Sequence, residues 1–84
     1  MSVTVLLFAS AREAAGVESA QVELQGGMIS SQDLLRDLVS QFPGLESVLK
    51  SCVIALNQEY LEQGSSTQIK RGDEVAIIPP LSGG

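Results

Sequence analysis

With 84 residues, 44% of them hydrophobic, the chain is long enough for one small domain and too apolar to be disordered. No histidine and a single cysteine exclude, within this chain alone, a catalytic triad, a Cys–His pair, a structural zinc site and an internal disulfide. A formal charge of −5, with no basic cluster larger than Lys70-Arg71, argues against nucleic acid and for a partner with a basic surface.

Residues 3–9, VTVLLFA, are rich in β-branched and aromatic types and predict a strand. Its alternation puts Val3, Val5 and Leu7 on one face and Thr4, Leu6 and Phe8 on the other. The run is too short to cross a membrane and lacks the basic flank and cleavage site of a signal peptide. SAREAAGV is helix-prone at Ala11–Ala15 but stopped by Gly16, which predicts a loop with about one helical turn carrying Arg12-Glu13. AQVELQ, residues 20–25, alternates again and turns Val22 and Leu24 inward, before Gly26-Gly27 breaks the pattern.

The strongest helix signal covers residues 31–42, SQDLLRDLVSQF. Leu34, Leu35, Leu38, Val39 and Phe42 recur at steps of three and four and make one apolar stripe. Ser30 or Ser31 can cap it, Ser30 with Asp33 at capping-box spacing, and Pro43-Gly44 ends it. GLESVLK predicts a further short helical turn. CVIAL, residues 52–56, predicts a strand, with Gln58-Glu59 turning into Tyr60-Leu61. EQGSS reads as a polar loop, TQI as a very short strand, KRGD as a turn centred on Gly72-Asp73, and EVAII, residues 74–78, as the closing strand.

One amphipathic helix cannot bury its stripe alone and must lie on a sheet. A hairpin, a crossing helix and a last strand placed beside the first satisfy that need. The expected fold is therefore α+β, a ubiquitin-like β-grasp with a mixed sheet and one main helix on one face. The unbroken apolar character of EVAII puts that strand at the sheet's centre. Two parts are expected, a body over residues 1–78 and an extended tail over 79–84. In the tail, Pro79 and Pro80 fix φ and favour an extended course, Leu81 and Ser82 add a small apolar contact and a flexible step, and Gly83 and Gly84 carry no side chain. Such a tip can enter a channel that any larger residue would block, and it leaves a carboxyl carbon open to activation. The plainer reading is a frayed end.

GDEVAIIPPLSGG, together with FASAREAAGV and ALNQEYL, resembles the small subunits of molybdopterin synthase, and the resemblance covers essentially the whole chain. It implies a sulfur carrier. An E1-like enzyme adenylates Gly84, a sulfur donor converts the acyl-adenylate to a thiocarboxylate, and the tail threads into the large subunit. Sulfur then passes to cyclic pyranopterin monophosphate and gives the dithiolene of molybdopterin. The resemblance further implies a two-plus-two complex with the large subunit and no stably bound cofactor, the acyl-adenylate and thiocarboxylate being covalent states of the terminus itself. No acid, base or metal is needed in this chain, because the partner enzymes supply them. Cys52, in an apolar run, is expected to be buried and inert rather than a persulfide carrier.

Arg12 is implied as a contact of the adenylating enzyme, its alternative being a solvated loop charge. Phe8, Tyr60 and Ile78 are expected to project from the sheet face opposite the helix as a patch covered by the large subunit, unless one or two belong to the core. Asp73-Glu74 beside Lys70-Arg71 reads as a turn of mixed charge without a chemical role. Three other readings compete: a ubiquitin-like modifier joined to lysines through Gly84, a thiamine-pathway sulfur carrier, and an inert β-grasp interaction module. The lone cysteine suits a reducing compartment, so a cytoplasmic location is expected, with no membrane and no nucleic acid among the partners.

Overall fold

The computed structural model describes residues 1–62 and 64–79. In chain order the elements are β1 (Ser2–Leu7), α1 (Ala9–Ala15), β2 (Ser19–Glu23), β3 (Met28–Ser30), α2 (Ser31–Gln41), α3 (Leu45–Leu49), β4 (Val53–Leu56), β5 (Glu59–Tyr60), β6 (Gln68–Lys70) and β7 (Val75–Ile78). Five strands form a mixed sheet in the order β2-β1-β7-β4-β5, and β3 pairs with β6 in a second, two-stranded sheet. β7 lies between β1, to which it runs parallel, and β4, to which it runs antiparallel. This is the β-grasp order, with the last strand central as its apolar run required.

The core is the interior between the sheet and α2. Val5 and Leu7 on β1, Val22 on β2, and Val75 and Ile77 on β7 are buried on the side that meets Leu34 and Leu38 of α2. Leu35 and Phe42 pack against this cluster at its margin. Side-chain alternation explains the choice, since inward positions fall on every second residue of each strand. Burial of a Leu or Val side chain stabilises by about 1.5–3 kcal/mol, so the dry interior is the main source of folding free energy.

Hydrogen bonds fix α2 at both ends. The Ser30 hydroxyl accepts from the Asp33 N–H at 3.1 Å, so Ser30 is the cap of the two serines considered. Ser31 is buried instead; its hydroxyl accepts from the Thr67 N–H at 3.0 Å and donates to the Ser65 carbonyl at 3.2 Å. At the other end the Gln41 amide donates to the Gln21 carbonyl at 2.9 Å and ties the helix to β2.

Three expectations need correction. The segment after β1 is not a loop with one turn: the strand stops at Leu7 and α1 runs from Ala9 to Ala15. Gly16 does end it, but as a left-handed cap with φ 78°, its N–H donating to the Arg12 carbonyl at 2.8 Å. The β4–β5 turn falls on Asn57-Gln58, one residue earlier than expected, and the KRGD turn centres on Arg71-Gly72, closed by the Asp73 N–H on the Lys70 carbonyl. β3 was not anticipated. α3 packs on α1 so closely that a Cβ on Gly44 would sit 3.1 Å from the Ala14 carbonyl oxygen, which explains glycine after Pro43. No helix among the described residues is long and apolar enough to cross a membrane.

Candidate docking face and carrier tail

The face of the sheet turned away from α2 is built by register. Leu6 of β1 pairs with Ala76 of β7, Ala76 with Ala55 of β4, and Ala55 with Tyr60 of β5. These four residues therefore form one row across four strands. Phe8 and Ile78 extend it at the ends of β1 and β7, and Gln58 and Glu74 close it on the side of the β4–β5 turn. Together they line a shallow hollow of about 300 Å³. Phe8 is 46% exposed and Tyr60 72% exposed, and Ile78 is half-buried. Apolar rings left in water around a hollow make this face the candidate docking surface.

Two hydrogen-bonded devices hold this face. The Phe8 N–H donates to the Ile77 carbonyl at 3.2 Å, and the Phe8 carbonyl accepts from the Ala11 N–H at 3.0 Å, so the residue is pinned between β7 and α1. At the other rim Asn57 joins two turns. Its side-chain amide donates to Asp73 Oδ1 at 3.1 Å, its amide oxygen accepts from the Glu74 N–H at 2.9 Å, and its own N–H donates to the Glu74 carbonyl at 2.8 Å. Asp73 Oδ2 accepts from the Lys70 N–H at 2.8 Å. That backbone donor first, then the Asn57 amide and the Lys70 charge, hold the Asp73 carboxyl below its ordinary value. Asp73 thus has a structural role beyond mixed turn charge: it fixes the turn that feeds β7.

The expected trio of Phe8, Tyr60 and Ile78 is brought together on this face. Arg12 is not part of it. It lies on exposed α1 rather than in a loop, with its guanidinium 3.5 Å from Glu18 Oε1, a solvated contact of small energy. Pro79 is half-buried directly after β7, while Pro80, Leu81, Ser82, Gly83 and Gly84 lie outside the described residues. Leu6, Ala55, Gln58, Glu74 and Ala76 were not singled out from sequence. The period of two in β1 and β7 carries the signal for Leu6 and Ala76, which fall on the same alternation as Phe8 and Ile78.

Cys52 is buried, and desolvation pushes its thiol pKa up. A thiol held protonated is a poor nucleophile. The burial of Cys52 agrees with the expectation from sequence.

A mixed sheet of this strand order with α2 packed on one face defines the class of ubiquitin-like β-grasp proteins. The chain belongs to the ThiS family, whose model matches residues 5–84. It is 51% identical to the molybdopterin synthase sulfur carrier subunit of Chlamydomonas reinhardtii, with all of both chains covered. Among solved structures it resembles SAMP1 from Haloferax volcanii, at a TM-score of 0.81 and 33% identity over the whole of both chains. It also resembles a chain in the complex of subunits 1 and 2 of molybdopterin-converting factor from Helicobacter pylori, at a TM-score of 0.66 and 27% identity, again with full coverage.

Proposed function

We propose that this chain is the sulfur carrier subunit of a molybdopterin synthase. Whole-length similarity at 51% identity to a protein of that name carries the reading. The apolar face explains how such a carrier grips its enzyme. Modifier and thiamine-pathway readings are not favoured, because that match is to a molybdopterin synthase subunit.

In this reading residues 1–78 are the grip and residues 79–84 the handle. A carboxylate cannot exchange oxygen for sulfur unaided, since its oxygen is a poor leaving group. Attack of the Gly84 carboxylate on ATP, directed by an E1-like partner, releases pyrophosphate and makes the acyl-adenylate. A sulfur nucleophile then displaces AMP and leaves the thiocarboxylate. Proline at positions 79 and 80 restricts φ in the handle. Leu81 and Ser82 are the proposed contacts of the channel wall, and Gly83 and Gly84, having no side chains, keep the tip narrow. Inside the large subunit the thiocarboxylate donates sulfur to cyclic pyranopterin monophosphate. No resident cofactor is required of this chain, and the cytosol is the proposed compartment.

Phe8, Tyr60 and Ile78 bind the large subunit in this scheme. The likeness to a solved complex of subunits 1 and 2 supports such a partner, and the exposure of Phe8 and Tyr60 beside the hollow supports the choice of face. Arg12, exposed on α1, is the proposed contact for the adenylating enzyme. The test is to incubate the chain with ATP, an E1-like enzyme and a sulfur source, then weigh it intact. Replacement of one oxygen by sulfur is expected. An unchanged mass, or conjugates linked through lysine, would overturn the proposal.

A further inference from the structure

Among the described residues, three that are not glycine hold a positive φ: Ala9 at 49°, Asn57 at 52° and Gln58 at 70°. Asparagine enters this region readily; a residue such as alanine or glutamine does so only under strain. Strain of this kind persists only where surrounding structure imposes it, and it collects at functional sites. Here both strained residues adjoin the exposed aromatic side chains of the docking face. Ala9 follows Phe8 directly, and Gln58 lies two residues before Tyr60 at the turn that starts β5.

The local geometry shows what each does. The chain must leave β1 and enter α1 at once, because the Phe8 N–H is held by Ile77 and the Phe8 carbonyl by Ala11. A left-handed Ala9 makes that corner. Asn57 and Gln58 form a two-residue hairpin with positive φ at both positions, where the second is ordinarily glycine. In each place a glycine would give the same corner without strain, and it would also let the adjoining aromatic residue sample more directions. A side chain with a Cβ narrows the backbone well.

We propose that Ala9 and Gln58 are positioning residues that hold Phe8 and Tyr60 pre-set for the large subunit, at the expense of the free chain's stability. This rests on the docking reading above. Pre-setting lowers the ordering entropy lost on association, so its loss weakens binding without removing a contact. Ala9 is exposed, so its methyl group contributes little to the core.

The test measures association with a molybdopterin synthase large subunit by titration, alongside the thermal midpoint of each free variant. Ala9→Gly is expected to bind roughly three- to tenfold more weakly, with a midpoint no lower than the parent's. Ala9→Asn, which tolerates positive φ while keeping a Cβ, is expected to bind as the parent does. Gln58 itself lines the hollow, so at that rim Gln58→Gly is compared with Gln58→Asn, which also gives up the long side chain but keeps a Cβ and tolerates positive φ. The glycine variant is expected to bind more weakly than the asparagine variant. Equal binding of the two, like parent-like binding of Ala9→Gly at the first rim, removes that residue from the role. A fall in midpoint that matches the fall in affinity would show ordinary structural support and overturn the inference. Phe8→Asp serves as the control. If it binds like the parent, the docking reading itself fails; if it binds weakly while both glycine variants do not, only the positioning inference fails.

Discussion

On the helix side of the five-stranded sheet, Val5, Leu7, Val75 and Ile77 are buried against Leu34 and Leu38. On the opposite side the same two strands carry Leu6 and Ala76, with Phe8 and Ile78 at their ends, around a hollow open to solvent. Successive residues therefore serve different purposes, separated only by the alternation of the pleat. One face supplies folding free energy, and the other leaves apolar surface exposed, as the proposed association requires. β7 is common to both faces, and in the proposed function it is also the strand after which the handle begins.

This contrast makes the two kinds of damage separable. The largest effect expected is from deleting Gly83-Gly84, which should abolish sulfur transfer in a reconstituted synthase while leaving the denaturation curve in place. Next comes the buried face. Leu38→Ala should cost about 2–5 kcal/mol of stability by urea unfolding, a large part of what so small a domain has. For the exposed face, Phe8→Asp and Ile78→Asp should weaken association with the large subunit by roughly 30-fold or more in a titration. Unfolding of Phe8→Asp should shift by no more than about 0.5 kcal/mol. If Phe8→Asp unfolded the chain, or Leu38→Ala chiefly affected binding, the division between the faces would be wrong.

The smallest effect concerns pH. Asp73 is held below its ordinary value of 3.8 in the folded chain, so the unfolded state takes up the proton first as pH falls. Its contribution is present in full above that unfolded value and is lost as pH drops through the lower folded one. Asp73→Asn should therefore reduce the acid sensitivity of the thermal midpoint below about pH 4, the ordinary range of such a carboxyl. An identical acid limb in parent and variant would show that the Asn57–Asp73 link contributes nothing.

Much of this division is legible in the sequence because alternation and helical spacing are strong signals. EVAII could be placed at the sheet's centre because its run is unbroken, although it is covered on one face only: Val75 and Ile77 meet the core, and Ala76 and Ile78 meet the open apolar hollow. Phe8 and Ile78 followed from the period of two. What escaped depended on partners far along the chain. β3 has three residues, too few to show a pattern, and exists through pairing with β6, Ile29 lying opposite Ile69. α1 is shortened to about one turn in the sequence reading because Gly16 stops the helix-prone stretch at Ala11–Ala15, and nothing local announces that a left-handed alanine at position 9 already starts it. The hairpin shifted by one residue for a related reason: Asn57 is followed by glutamine, so the usual Asn-Gly mark of such a turn is missing. The features hidden from sequence are thus the same irregular corners that frame the docking face.

Transfer itself can be observed in a single turnover. The chain carrying a thiocarboxylate at Gly84 is mixed with the large subunit and cyclic pyranopterin monophosphate, and the mass of the chain is followed over time. Return of the terminus to a plain carboxylate, in step with formation of the dithiolene, is the predicted result. A thiocarboxylate that persists while the two subunits are bound to each other would contradict the account.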